Sequence, residues 1–232
     1  MSETGIAQRR RGSSNDTGRT QMDEALPQWL INVLRVFARS FSDRLWHINY
    51  IGLERVPREG GLIIAANHQT YIDPFWIGFP IKRIMRFLAW DEAFNWPVTG
   101  KLIRFLGAWP LQVDRSDPTA IRRSLHWLRC GGALMIFPEG GRGLPTGETI
   151  EFKTGAARLA LEANVPILPV TIRGAHQVWP HTRRLPRFRA PVDIIYHPPR
   201  YLMQLPGEDT RTCARRETNR LAQTIQSALS FK

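Results

Sequence analysis

Four short and almost wholly apolar runs, each leading into a turn or a helical spacing, set the architecture of this 232-residue chain. They are residues 61–67 (GLIIAAN), 133–137 (ALMIF), 167–172 (ILPVTI) and 192–196 (VDIIY). A strand apolar on both faces needs cover on both sides, which places it inside a layered sheet. Helical spacing recurs between these runs, at about residues 74–78, 98–106, 118–128 and 153–163. A last helix at about 210–229 carries Leu221, Ile225 and Leu229 on one face and charges on the other. Apolar strands alternating with helices define an α/β fold. The expectation is a single domain whose mixed, mostly parallel sheet is covered by helices on both faces. The length suits one domain, and 8 Trp and 11 Phe supply the apolar volume for one core.

Ahead of the first strand the pattern differs. Residues 1–22 are poor in apolar side chains and rich in Gly, Ser, Asn and Arg, and read as a disordered arm before a folded unit at 23–232. Within that unit, 23–46 reads as an amphipathic helix. Leu26, Trp29, Leu30, Val33, Leu34, Phe37 and Phe41 recur at three- and four-residue spacings, while Arg35, Arg39 and Arg44 point elsewhere. Such a stripe packs on the domain's own core, or lies in a membrane interface with its arginines toward anionic lipid. The expectation is a membrane-docking helix.

The formal net charge of +12 calls for anionic surroundings. Nucleic acid and an anionic membrane face both satisfy it, but the basic residues are spread along the chain rather than gathered in a tail, which weakens the first. Residues 1–20 lack the apolar core of a signal peptide, and no run of about 18 apolar residues occurs. Only Cys130 and Cys213 are present, without a C-x-x-C pair, so neither a disulfide framework nor a zinc site is expected. Cys130, beside a Gly-Gly pair, reads as a buried small hydrophobe. These features point to a peripheral protein on the cytoplasmic face of the inner (plasma) membrane, with an anionic membrane surface and no nucleic acid as partner.

Ligand sites in open α/β sheets gather beyond the C-terminal ends of the strands. The first apolar run leads into NHQTYIDP, with Asn67, His68 and Asp73; the second leads into FPEGGRG, with Glu139, Gly140 and Arg142. His68 and Asp73 are five residues apart, which on a regular helix separates them by about 140°. They meet only if the segment turns. Asp73 precedes a proline, which pushes it out of helical geometry, and Pro74 suits the first position of a new helix. A turn across 69–72 then returns the carboxylate to the imidazole, where it would fix one tautomer and leave the other ring nitrogen as a general base. The alternative is a strand-end histidine bonded to a nearby loop. No G-x-S-x-G, H-E-x-x-H or G-x-x-x-x-G-K-[ST] pattern occurs. A base without a protein nucleophile suggests direct transfer to a substrate hydroxyl. The glycines of FPEGGRG let backbone N–H groups approach a ligand, Arg142 can grip a phosphate or carboxylate, and Glu139 could anchor that arginine or accept from a hydroxyl.

Taken together, these segments resemble the glycerolipid acyltransferase family, and most closely its bacterial 1-acyl-glycerol-3-phosphate acyltransferases. The first family motif, N-H-x-[ST]-x-x-D, is matched at 67–73. The second, a glycine and an apolar strand ending in arginine, is matched by GAWPLQVDR at 107–115. The third, F-P-E-G-[TS]-R-[SG], falls on 137–143, and the fourth, V-P-[IV]-x-P-V-x-[IV], on 165–172. Between the last two, FKTGAARLA at 152–160 is similar to the family's F-K-x-G-A segment.

The resemblance implies His68 and Asp73 as catalytic base and orienter, with Asn67, Arg115, Glu139, Gly140 and Arg142 binding or organising the acceptor. The implied reaction carries a fatty acyl group from acyl-CoA or acyl-carrier protein to the sn-2 hydroxyl of 1-acyl-glycerol-3-phosphate, making phosphatidic acid. It needs no cofactor and no metal. Another lysolipid or glycerol-3-phosphate as acceptor, or a non-catalytic lipid-binding role, are the alternatives. The sequence departs from the family pattern at Gly141, Gly143 and Trp90, where Thr or Ser, Ser, and Lys are usual; a bulkier or less charged headgroup suits those changes too. Residues 74–90 (PFWIGFPIKRIMRFLAW), apolar with Lys82, Arg83 and Arg86 in the middle, read as a second membrane-seating surface.

Overall fold

The computed structural model describes residues 28–97, 99–112, 117–179, 183 and 185–230. The expected arm at 1–22 and the start of the expected helix lie outside them. In chain order come α1 (Gln28–Leu45), β1 (Ile48–Ile51), β2 (Leu62–Ala66), α2 (Asp73–Gly78), β3 (Met85–Trp90), α3 (Thr99–Phe105), β4 (Ala108–Leu111), α4 (Pro118–Arg129), β5 (Ala133–Ile136), α5 (Gly155–Ala163), β6 (Ile167–Arg173), α6 (Ala175–Val178), β7 (Val192–Tyr196) and α7 (Thr210–Ser230).

The seven strands form one sheet in the order β1-β7-β6-β2-β5-β3-β4. Every pairing is parallel except β6 with β7. The fully apolar β2 lies at the centre and is buried along its whole length, as a strand covered on both faces must be. Its side chains alternate between two cores. Leu62, Ile64 and Ala66 face Trp76 and Ile77 of α2 and Val178 of α6. Ile63 and Ala65 face Leu125 and Leu128 of α4, Ala156 and Leu159 of α5, and Leu221 and Ile225 of α7. The mixed, mostly parallel sheet with helices on both faces is the architecture expected.

Three strands escape the apolar-run signal. β1 is four residues long with alternate burial, and β4 contains Pro110. β3 lies inside the segment expected to be a membrane-seating surface, where Lys82 is exposed but Arg83 and Arg86 are engaged within the protein. Arg83 donates to the carbonyl oxygens of Pro57, Glu59, Gly60 and Gly131. The Arg86 guanidinium lies over the rings of Trp109 and Trp127, 5.8 and 5.6 Å from their centroids. Cys130, expected to be buried, is exposed at the C-cap of α4.

α1 is attached by its inner side. Ser42 accepts a hydrogen bond from Trp76 Nε1 at 2.7 Å, and Trp46, just past the helix, is buried with its ring edge against Trp76. Of the apolar stripe, Val33, Phe37 and Phe41 face outward, with Val36 exposed beside them and Phe37 at 71%. Among the described residues no helix is long and apolar enough to cross a membrane.

Candidate active site

The C-terminal ends of β2 and β5 release the two polar loops side by side, as their parallel pairing in the sheet requires. After β2, the chain turns across 69–72 and enters α2 with Pro74 in its first turn. The turn is held by Asp73 itself. Its Oδ2 accepts the backbone N–H groups of Gln69 (2.6 Å) and Thr70 (2.7 Å), and its Oδ1 accepts the Thr70 hydroxyl at 2.6 Å. Asp73 thus reaches back three residues to bond both the main chain and the hydroxyl of Thr70, which closes the turn ahead of α2. A T-x-x-D spacing was visible in the sequence and would have singled out Thr70.

The same Oδ2 lies 2.9 Å from His68 Nδ1. Asp73 is completely buried and its carboxylate only accepts, so Nδ1 carries the proton and Nε2 is left as the basic nitrogen. The His68 ring stacks on Phe137 at 4.1 Å between centroids, which sets its plane. The expected His68–Asp73 pair is present, and its geometry is that of a general base with an orienting partner.

Asn67 and Glu139, both expected to touch substrate, have their polar atoms committed to the backbone. Asn67 donates from Nδ2 to the Ile172 carbonyl (2.9 Å) and accepts at Oδ1 from the Ile172 N–H (2.7 Å), all of it buried. It locks the end of β2 to β6. Glu139 accepts the His68 N–H at Oε1 (2.7 Å) and the Ile150 N–H at Oε2 (3.0 Å). Burial pushes its carboxyl above the ordinary value of 4.5, against the pull of those two N–H groups. It does not pair with Arg142; it ties the FPEGG turn to the histidine loop. In this arrangement both side chains hold the loops around His68 in place.

Gly140 and Arg142 do face the site. Gly140 has φ 71°, and a Cβ there would meet Lys153 Nζ at 2.8 Å. Arg142 lies over the Tyr71 ring at 4.1 Å and pairs with no carboxylate among the described residues. Its guanidinium is therefore free to take an anion. Arg115 lies outside the described residues.

A further network was not anticipated. The buried Gln69 donates to the Gly147 carbonyl (2.8 Å) and accepts from the His176 N–H (3.1 Å). It joins the histidine loop to the 144–149 turn and to α6. Nothing local marks Gln69, because both partners are distant in sequence.

His68 opens onto a cavity of about 690 Å³ between α2, β3, β4 and α3. Phe75, Phe87, Leu88, Ala89, Ile103 and Leu111 line it with apolar surface, while Tyr71, Trp90, Gly141 and Arg142 add its more polar or exposed wall. Its volume is in the range of sites that enclose a small organic molecule. Among the described residues no three His, Cys, Asp or Glu side chains group so as to hold a metal ion.

The chain belongs to the Acyltransferase family, whose model matches residues 47–173, more than half of its length. It is 29% identical over 171 residues to the 1-acyl-sn-glycerol-3-phosphate acyltransferase of Pseudomonas aeruginosa, covering 70% of this chain and 62% of that one. With the protein of the same name from Streptococcus pneumoniae it shares 32% over 137 residues, 56% of this chain and 50% of the relative. It spans about half the length of the curated relatives it matches. Its fold is similar to that of the 1-acyl-sn-glycerophosphate acyltransferase PlsC from Thermotoga maritima, with a TM-score of 0.68 and 22% identity over 88% of this chain and 80% of that one.

Proposed function

We propose that this protein transfers a fatty acyl group from an acyl thioester to the sn-2 hydroxyl of 1-acyl-glycerol-3-phosphate, yielding phosphatidic acid. The observation that carries the reading is the His68–Asp73 pair, its carboxylate buried and its imidazole opening onto an apolar cavity with Arg142 in its wall. His68 Nε2 takes the proton of the acceptor hydroxyl as its oxygen bonds to the thioester carbonyl carbon. Asp73 stabilises the imidazolium. The tetrahedral intermediate then collapses, the carbon–sulfur bond breaks, and the leaving thiolate recovers the proton from His68. Arg142 holds the acceptor phosphate, and the apolar wall takes an acyl chain. The donor is acyl-CoA or acyl-carrier protein, and the chemistry needs no cofactor.

The protein works as a peripheral enzyme on an anionic membrane face, on the cytoplasmic side, seated through the outward stripe of α1. Lipid headgroups lie against the arginines and the hydrocarbon boundary against Val33, Phe37 and Phe41.

A second acceptor class is favoured by one observation. Trp90 lines the cavity and Gly141 beside it carries no hydroxyl, so this wall offers a ring where a cation or hydroxyl would grip a phosphomonoester. A lysolipid with a larger headgroup fits such a wall. Acyl transfer from labelled palmitoyl-CoA to lysophosphatidic acid in mixed micelles, with His68→Ala as control, tests the first reading. Turnover only on other lysolipids selects the second. No turnover on any acceptor with either donor defeats both.

A further inference from the structure

We infer that Arg183 and the loop at 185–190 form a second lipid-docking element, which seats against an anionic bilayer beside the mouth of the active-site cavity. This rests on the reading of a membrane-borne lipid substrate and extends it to a surface that α1 does not supply.

The segment reads RRLPRFRA, four arginines among eight residues, with Leu185 and Phe188 between them. Its apolar side chains are not folded inward. Leu185 is 76% exposed and Phe188 63%, and Arg183, Arg187 and Arg189 are exposed with them. Among the described residues none of these three arginines pairs with a carboxylate. Exposed Leu and Phe alternating with unpaired arginines is the composition of an interfacial segment: the apolar groups enter the headgroup boundary and the guanidiniums meet phosphates. A nucleic-acid backbone would reward the arginines but leave Leu185 without a partner. The charge pattern and the apolar tips together select a lipid surface.

Its backbone is pinned at both ends, so this is a presented loop. At one end the Arg187 N–H donates to the Val178 carbonyl (2.6 Å), and Trp179 Nε1 donates to the Arg183 carbonyl (3.0 Å). Trp179 itself lines the cavity and meets Tyr71 edge-on at 6.0 Å. At the other end the Arg189 N–H donates to the Leu45 carbonyl (2.9 Å), Trp46 Nε1 donates to the Arg187 carbonyl (2.6 Å), and the Phe188 ring stacks on Trp46 at 6.2 Å. The loop therefore bridges the last turn of α1 to the cavity wall. A bilayer that receives α1 and this loop lies next to the opening through which a lysolipid enters.

The test is co-sedimentation of the purified full chain with phosphatidylcholine vesicles and with mixed phosphatidylcholine–phosphatidylglycerol vesicles, at low and high salt. R187Q/R189Q removes two charges and should weaken binding to the anionic vesicles roughly thirty-fold at low salt, with little change on neutral ones. R187K/R189K keeps the charge and should restore most of it. L185S/F188S should weaken binding roughly ten-fold or more at both salt levels. The two arginine variants retain every contact that pins the loop, so their melting temperatures should match the parent. L185S/F188S gives up the Phe188–Trp46 stacking and should melt lower. L185S alone, which keeps it, should show the same direction of loss on vesicles, with detergent turnover at the parental level throughout. Binding within about two-fold of the parent for both neutralised and polar variants would overturn the inference. That result would mean that a second copy, or the segment before residue 28, covers the loop. Preference for a DNA duplex over anionic vesicles would overturn it equally. The detergent assay separates this from the proposed chemistry, since failure of acyl transfer there leaves the vesicle result standing.

Discussion

Glu139 Oε1 accepts the backbone N–H of His68 at 2.7 Å, so the histidine is gripped from two sides, by Asp73 at the ring and by Glu139 at the main chain. The two carboxylates have different tasks. Asp73 sets tautomer and charge; Glu139 sets where the residue sits.

If Glu139 positions rather than binds, E139Q should lower kcat with little change in the KM for the acceptor. Gln keeps one carbonyl acceptor but turns an amide N–H₂ toward the other backbone donor, costing about 1–3 kcal/mol of stability. Burial raises the Glu139 carboxyl, so the fold favours its neutral form. That contribution is complete below the ordinary carboxylate range and is lost as pH rises through Glu139's own higher value. The melting-temperature gap between wild type and E139Q should therefore be wider near the acid end of the stable range than at alkaline pH. Melts across pH and steady-state kinetics check both halves; a rise in acceptor KM alone would return Glu139 to a binding role.

D73N should reduce kcat by about 10²–10⁴-fold while leaving donor KM nearly unchanged. Asn presents only one acceptor to the Gln69 and Thr70 N–H groups, the Thr70 hydroxyl and His68. Its amide also favours the wrong histidine tautomer. Kinetics on a variant shown folded by circular dichroism decide this, and near-native turnover would remove Asp73 from the mechanism.

The two glycines that flank Arg142 should respond oppositely. A Cβ at Gly141 meets nothing within 4 Å, so G141S should fold like the parent and, with a hydroxyl in the cavity wall, raise activity toward phosphate-headed acceptors. A Cβ at Gly143 would lie 2.7 Å from the Glu148 carbonyl oxygen and 2.9 Å from Glu139 Oε2. G143A should therefore destabilise by about 1–3 kcal/mol and lower kcat by disturbing Glu139. Melting curves with acceptor profiling separate these outcomes.

Filling the cavity should shorten the acyl chain it accepts. Ala89 lines it from β3, and A89F places a ring in the apolar part. Donors with long chains should lose turnover relative to short ones, by about ten-fold per two methylenes displaced. An unchanged chain-length profile would show that the acyl group lies elsewhere.

The outward stripe of α1 should govern association without touching chemistry. F37S/F41S ought to weaken vesicle binding by about ten-fold or more and leave detergent-micelle turnover intact. Vesicle flotation gives the answer; loss of micelle turnover as well would assign the helix a part in the catalytic unit.

Much of this site is legible in the sequence because its catalytic pair is local: His68 and Asp73 are joined by a five-residue turn whose proline and T-x-x-D spacing can be read directly. The central strands are legible for a related reason, since burial on both faces demands continuous apolar runs. The clamping bonds of Asn67 and Glu139 are not legible, because their partners lie 105 and 71 residues away and nothing local marks a side chain that grips a distant backbone. β3 was obscured because Arg86 resembles a surface charge until Trp109 and Trp127 are known to enclose it. β1 is too short and too half-exposed for any run to show.

The edge strand β1 joins the sheet only through β7, and paired residues such as Asn49 and Asp193 are 144 positions apart. A ribosome would thus have to synthesise nearly the whole domain before β1 found its neighbour, whereas the Ser42 and Trp46 contacts of α1 need only Trp76 of α2. The order of synthesis is inverted by the order of assembly: β1, an early strand, is among the last to pair, so the sheet closes at an edge whose two halves are made far apart in time.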